Sequence, residues 1–494
     1  MRYFLFYILG CVMFVVRGQF YTLPNHWLFQ PVQEHALLLE DTNRCISVYP
    51  LNPFVGQKFQ NIDTGVRLFK YIKNDPALDI LFEKDLVSVR EKSLHIRVSP
   101  LLNFQKGQQT MDTAILGYTN TRGFVASIKL DRVYIETLLS ESQSVFPGYL
   151  QVYSNSVQVV PGQGRWKSFK GSGFDYAFSA GLVSIQARNN MNVSFGTGKQ
   201  KIGSGYRSLL LSDNSFVYPY IRIEQTWWRG RLQYECSYAL LNNLTGASLK
   251  IPPNTERLFQ KKPFVYQYLN VGIGKGTRLG FFQGIIGESP DMRNVWRGDG
   301  ILFSPVLFSQ WVYYGLHQKN NVLVGADIQQ KIFRTCLLYG QLVIDDWGFI
   351  KEAYGYQLGM KWMKKWGIWR VMLLLEWNDV RNKTYMAPVF DNYNHSSYSH
   401  FNQNLAYTLG YGQEWLQMVS VKKSRWIVGA QYSAQQNTLF GQNLQYFRLL
   451  GGFTINPSYN LLINVGLENR ITERNSQYIY IQLQTALYNY YYDF

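Results

Sequence analysis

The chain has 494 residues and a formal net charge of +17, and 16% of it is aromatic, with 36 Tyr, 31 Phe and 13 Trp. Mean hydropathy is nevertheless only −0.18, a combination expected when each strand sets one row of side chains in lipid and the other in water. Past the N-terminal segment only Cys45, Cys236 and Cys336 remain, an odd number that excludes a disulfide framework.

Arg2 is followed by an uninterrupted apolar run, Tyr3 to Val16, closed by Arg17. The run is shorter than the roughly 20 residues a spanning helix needs and fits a secretory signal, residues 1–18, cut near Gly18-Gln19. Ile8-Leu-Gly-Cys11 loosely resembles a lipoprotein signal, but the apolar run continues past Cys11. No other stretch is long enough to span as a helix. Export leaves little access to nucleic acid, so the positive charge points to outer-membrane lipopolysaccharide or an acidic glycan, or else simply lines a wet lumen.

Residues 19–80 are broken by Pro24, Pro31, Pro50, Pro53 and Pro76, and Val66–Ile72 is compatible with a helix. This stretch is expected to be a small non-barrel portion on the periplasmic side. Residues 81–494 are expected to form the barrel, beginning with strand-like pieces such as Leu94–Val98 and Gly123–Leu130. From about Asp175 the sequence alternates with period two. Met191, Val193 and Phe195 alternate with Asn192, Ser194 and Gly196; Leu232, Tyr234, Cys236, Tyr238 and Leu240 alternate with Arg231, Gln233, Glu235 and Ser237. Cys236 lies on an apolar row and reads as a small hydrophobe.

The stretch from Phe195 to Tyr220 is distinctive for its glycines. It fails as a phosphate loop, because Ser204 stands where the lysine is required; the glycines instead suit a tight passage. Arg207 and Asp213 could bind a sugar, but pairing with each other inside the lumen is the preferred reading. Two inserts, Gly284–Ser304 and Pro388–Tyr411, read as surface loops. The second holds His395 and His400 near Ser397 and Ser399, a spacing that matches no hydrolase triad and offers no third metal ligand. The last residues, Thr485 to Phe494, read as the strand that closes the barrel. Ile479, Ile481 and Leu483 are out of phase with Tyr488, Tyr490, Tyr492 and Phe494, so either a bulge near Thr485–Leu487 intervenes or the last tyrosines face the lumen.

Several ordered blocks resemble the Bacteroidetes outer-membrane proteins grouped as capsule assembly Wzi-like, which include gliding-motility members of the RemB kind. They are Asn120-Thr-Arg-Gly123, Val160–Arg165 with Gly173–Tyr176, Gly205–Asn214 with Tyr218-Pro-Tyr220, Leu338–Asp345, Tyr356–Lys361, His400–Gln403 and Tyr491–Phe494. Thr197 and Ser204 depart from the family's usual His and Asp, and Asn382-Lys-Thr-Tyr385 departs from its Pro-Tyr-Thr-Tyr. The resemblance implies an all-β, antiparallel barrel of about 18 strands with helical elements near its periplasmic side. It further implies a lectin-like, non-enzymatic hold on capsular or exopolysaccharide, with no cofactor or metal, and an association with motility or secretion proteins. Sugar faces would stack on tyrosine and tryptophan while arginine and lysine meet carboxylates. The candidate contacts are Tyr206, Arg207, Asp213, Asn214, Tyr220, Arg222, His400, Asn402 and Gln403.

Overall fold

The computed structural model describes residues 26–29, 47–56, 76–111, 114–246, 259–274, 276–287, 299–317, 320–345, 352–387, 396–437, 441 and 443–494. The expected signal, residues 1–18, and the helix at Val66–Ile72 lie outside the described residues. Alternating rows dictate the architecture, a closed antiparallel barrel of 18 strands. In chain order these are β1 (Leu94–Thr110), β2 (Ile115–Leu130), β3 (Val133–Val145), β4 (Gly173–Arg188), β5 (Met191–Gly198) and β6 (Tyr218–Trp227). Then come β7 (Leu232–Gly246), β8 (Phe259–Ile273), β9 (Thr277–Ile286), β10 (Asn321–Ile332), β11 (Cys336–Asp345) and β12 (Tyr354–Trp366). The wall ends with β13 (Trp369–Val380), β14 (Gly412–Lys423), β15 (Trp426–Gln436), β16 (Leu444–Asn456), β17 (Leu461–Ile471) and β18 (Asn475–Thr485). Each strand pairs with its neighbour in sequence, and β18 returns to β1 through Gln477↔Thr110 to Gln484↔Asn103.

The two faces of the wall follow the rows read from sequence. On β7, Glu235 and Ser237 face inward to Tyr266 and Gln200, so Tyr234, Cys236 and Tyr238 face outward. Outward apolar side chains such as Phe124, Ile128, Ile221 and Val465 are exposed, as a lipid-facing belt must be. The two rims differ. At one end the strands join through short turns, such as Asp131-Arg132, Asn189-Asn190 and Ser424-Arg425. At the other end lie the long connections. Outer-membrane barrels place short turns in the periplasm and long loops outside, which orients the molecule. Trp228, Trp366, Trp369 and Trp426 are exposed at the short-turn rim, where amphipathic rings suit the interface.

The lumen is filled by chain. Val48-Tyr49 pairs with Lys201-Ile202, and Leu209, Leu210 and Leu211 are fully buried against Phe264, Tyr266, Tyr268 and Phe282 of the inner wall. Each such leucine removed from water contributes about 1.5–3 kcal/mol. His26, Trp27, Leu28 and Phe29 are buried too, so described parts of the stretch 19–80 lie in the lumen. The boundary expected at residue 81 falls inside the helix Pro76–Phe82, which Asn456 holds at the short-turn rim by donating to the carbonyls of Ile80 and Lys84.

Three local expectations are corrected. The closing strand ends at Thr485, and residues 486–494 leave the sheet. They run up the lumen from the turn rim, where Leu28 and Trp27 pack beside Ala486 and Tyr491, to the loop rim, where the Phe494 ring lies 4.4 Å from Tyr153. The phase slip therefore marks departure from the wall, and the tyrosines are luminal. The insert 388–411 is not a surface loop over its described part, since Tyr398, Leu405, Ala406, Tyr407 and Leu409 are buried in the lumen core. Arg207 does not pair with Asp213, as shown next.

Candidate functional site: the lumen plug and a cavity at its loop end

After β5 the wall strand stops at Gly198 and the chain turns inward. At Gly205 the backbone comes so close to the wall that a Cβ would lie 2.4 Å from a Glu376 carboxylate oxygen. That approach lets Glu376 accept from the backbone N–H groups of Tyr206 (2.8 Å) and Arg207 (3.1 Å). The Arg207 side chain then forks onto Glu414 of β14, Nη2 to Oε1 at 2.8 Å and Nε to Oε2 at 3.0 Å, and its Nη1 donates to Asp493 at 3.1 Å. All three side chains are buried. Burial alone would lower the guanidinium's pKa, but the carboxylates of Asp493 and Glu414 outweigh it and hold the group well above its usual value. Asp213 instead accepts from the Tyr491 hydroxyl at 2.6 Å, and its backbone carbonyl accepts from Lys199 Nζ at 3.0 Å. Burial brings that amine down to about 8, against the opposing pull of Asp213.

All the candidate contacts except Asn402 are buried, and they fall into three groups. Tyr206, Arg207 and Asp213 form the charged centre of the plug. Tyr220 and Arg222 belong to the inner wall on β6, where Arg222 donates to the Pro50 carbonyl at 3.1 Å and Tyr220 packs with Tyr134 and Leu182. Asn214, His400, Asn402 and Gln403 sit at the loop end. There, Ser399-His400 and Gln403-Asn404 form a tiny hairpin with Phe401 (φ 48°) and Asn402 (φ 57°) at its tip, the left-handed pair a two-residue turn demands. A phenylalanine in that conformation is strained and is held by its surroundings. His400 does the holding. Its Nδ1 accepts from the Asn242 backbone N–H at 3.0 Å, its Nε2 donates to the Val217 carbonyl at 3.3 Å, and its ring stacks 4.6 Å from Phe401. Burial, with the nearby Lys262 charge, lowers its pKa to about 3. With both nitrogens engaged and the ring neutral, His400 has no lone pair left for a hydroxyl proton.

The hairpin presents Phe401 to a cavity of about 550 Å³ near the loop end, lined largely from the outward rows of the wall. Phe216 closes the same side, its ring 5.8 Å from Phe401. Arg122, Glu141, Arg165, Lys167 and Asp175 supply the charged lining. These residues come from β2, β3, β4 and the short strand Gly164–Phe169 that pairs with β4 above the point where β5 leaves. The sequence reading flanked Phe216 and Phe401 on both sides without naming either. It also missed Glu376, Glu414 and Asp493. Glu376 and Glu414 stand on inward rows of wall strands, a position where a carboxylate needs a partner, and that was the available signal.

The fold and its filled lumen define a plugged outer-membrane β-barrel. No family model matches the sequence, and no curated protein sequence matches it. Among solved structures, Wzi of Escherichia coli, described as an outer-membrane protein involved in group 1 capsule assembly and as a carbohydrate-binding β-barrel, is similar with a TM-score of 0.55 at 14% identity, over 94% of this chain and 100% of its own. The Pseudomonas aeruginosa protein OccK3 (OpdO) gives a TM-score of 0.44 at 10% identity, over 78% of this chain and 94% of its own. These likenesses are of fold.

Proposed function

We propose that this barrel is a non-enzymatic, lectin-like anchor that holds an acidic surface polysaccharide. The observation that carries the reading is the loop-end cavity, whose lining combines Arg122, Arg165 and Lys167 with the rings of Phe216 and Phe401, Glu141 and Asp175 standing opposite two of the cations. Cations meet sugar carboxylates and flat rings meet sugar faces, the two contacts such a polymer offers. The Wzi fold supports the same reading. Of the residues nominated from sequence, exposed Asn402 is our candidate for contact with the polymer, and His400 fixes Phe401 beside it; the other buried ones belong to the plug and the wall. Lipopolysaccharide surrounds the wall, and the RemB-like resemblance adds a part in capsule assembly or gliding, in company with motility or secretion proteins.

The test is retention of purified protein on immobilised acidic capsular polysaccharide, with a neutral glucan as control. Retention should fall with rising salt and drop sharply in the double variant R165A/K167A. Indifference to charge, or no retention together with steady ion conductance in planar bilayers, would replace the anchor with a passive pore. In cells, a deletion strain should shed polysaccharide that the parent keeps bound.

A further inference from the structure

The connection between β9 and β10 contains a short turn of helix, Gly300–Phe303, and a helix, Ser309–His317. The register places both outside the barrel. Ser237 and Tyr266 face the lumen, so Tyr234, Tyr238 and Gln267 face away from it, as does Gln283, which is paired with Gln267 across β8 and β9. Yet these outward glutamines are fully buried, because the connection lies over them. Tyr314 and Leu302 pack there against outward Val265, Ile285 and Val322.

Successive backbone carbonyls of this irregular segment each have a donor. Those of Ile301 and Leu302 accept from Gln310 (3.2 and 2.6 Å). That of Phe303 accepts from the Tyr238 hydroxyl (3.1 Å), that of Ser304 from Gln267 (2.6 Å), that of Pro305 from the Tyr234 hydroxyl (2.5 Å) and that of Val306 from Ser309 (2.7 Å). Gln310 also accepts from Gln283 at 2.8 Å. Water would satisfy such carbonyls at no structural cost; hydrocarbon cannot, and non-helical backbone survives at membrane depth only when protein donors replace water. As far as Val312 the side turned away from the wall is apolar, with Phe303 50%, Val306 62% and Val312 55% exposed; exposed His317 ends the helix, its Nδ1 against the Tyr313 carbonyl. Neighbouring strands show the same surface: Tyr238, which the segment covers, pairs with Ile221, itself paired with Phe195, and both of these are exposed.

We propose that residues 300–317 are a membrane-embedded segment, seated on the outer wall of β7 to β10 with Phe303, Val306 and Val312 against lipid acyl chains. The experiment places an environment-sensitive fluorophore at V306C or V312C, with the native cysteines replaced, in proteoliposomes. Controls are I221C in the lipid belt and S156C on the exposed loop-end helix Gly148–Val157. Both segment labels should emit to the blue like I221C, be quenched by lipids brominated on their chains and resist aqueous iodide. Quenching by iodide, as at S156C, would overturn the proposal, and so would resistance to both quenchers, which would mean that a protein covers the face. Adding Gln310→Ala should shift the V312C emission to the red while the barrel keeps its heat-modifiable mobility; an unchanged spectrum would show that the carbonyl network does not hold the segment.

Discussion

Arg207 is the residue on which the interior turns. It is a buried cation held by a bidentate carboxylate and a second acid. Removing one member of such a set strands the others in a dry interior, at about 3–5 kcal/mol. Arg207→Leu should therefore lower the unfolding midpoint in detergent, read as the temperature at which the compact band is lost on a gel. Arg207→Lys should recover only part of it, since an ammonium cannot match the fork. The sequence pointed to Asp213 as the partner because it is near in the chain. Glu414 and Asp493 are 207 and 286 positions away, and no local pattern carries such a pairing. The histidines make a second prediction. Burial lowers both His26 and His400 from 6.5 to about 3. Above pH 6.5 they are neutral folded or unfolded and pH has no hold on them. As pH falls from 6.5 toward 3, the unfolded chain takes up protons that the folded one refuses, so stability is lost in that window. Melting at pH 7 and pH 4 should show the drop, and a variant with both histidines replaced by glutamine should show less of it.

Among the elements, the wall strands were legible and the plug was not. Alternation reports which strand row meets water, and the rows read on β5 and β7 fall on the faces they define. The tail defeated the same test, because Tyr488, Tyr490 and Tyr492 alternate as a strand does, yet both they and the residues between them are buried or half-buried. Only the phase slip at Thr485–Leu487 betrayed it. Since β18 pairs with β1 as far as Gln484↔Asn103, a variant ending at Thr485 should still close its barrel but lose the column that fills it. Ion conductance in planar bilayers, compared with the full chain, checks this. Inside the wall, tyrosines lie flat over glycines on the adjoining strand. A Cβ at Gly359 would come 2.1 Å from the Tyr339 ring, and that ring's hydroxyl donates to Glu376 at 2.8 Å. Gly359→Val should push Tyr339 aside and cost about 1–3 kcal/mol by overpacking, measured as an earlier thermal transition.

For the molecule as a whole, membrane class could be anticipated from rows and composition, and strand number from the family resemblance alone. Where the loops go could not, because a loop's sequence does not say whether it turns out to solvent, in to the lumen or down the lipid face, and the described loops of this chain use all three. The plug has a consequence for the order of assembly. Arg207 precedes Glu414 and Asp493 in the chain, so its fork waits for β14 and its third contact for the last residues in the lumen. Closing longer loops adds only about 0.6 kcal/mol per doubling of length, so the delay is one of sequence and not of thermodynamic difficulty. Arg207 thus meets one acid from the wall and the other from the last residues, so a chain stalled short of Asp493 keeps the Glu414 fork and lacks the contact that ties the tail to it.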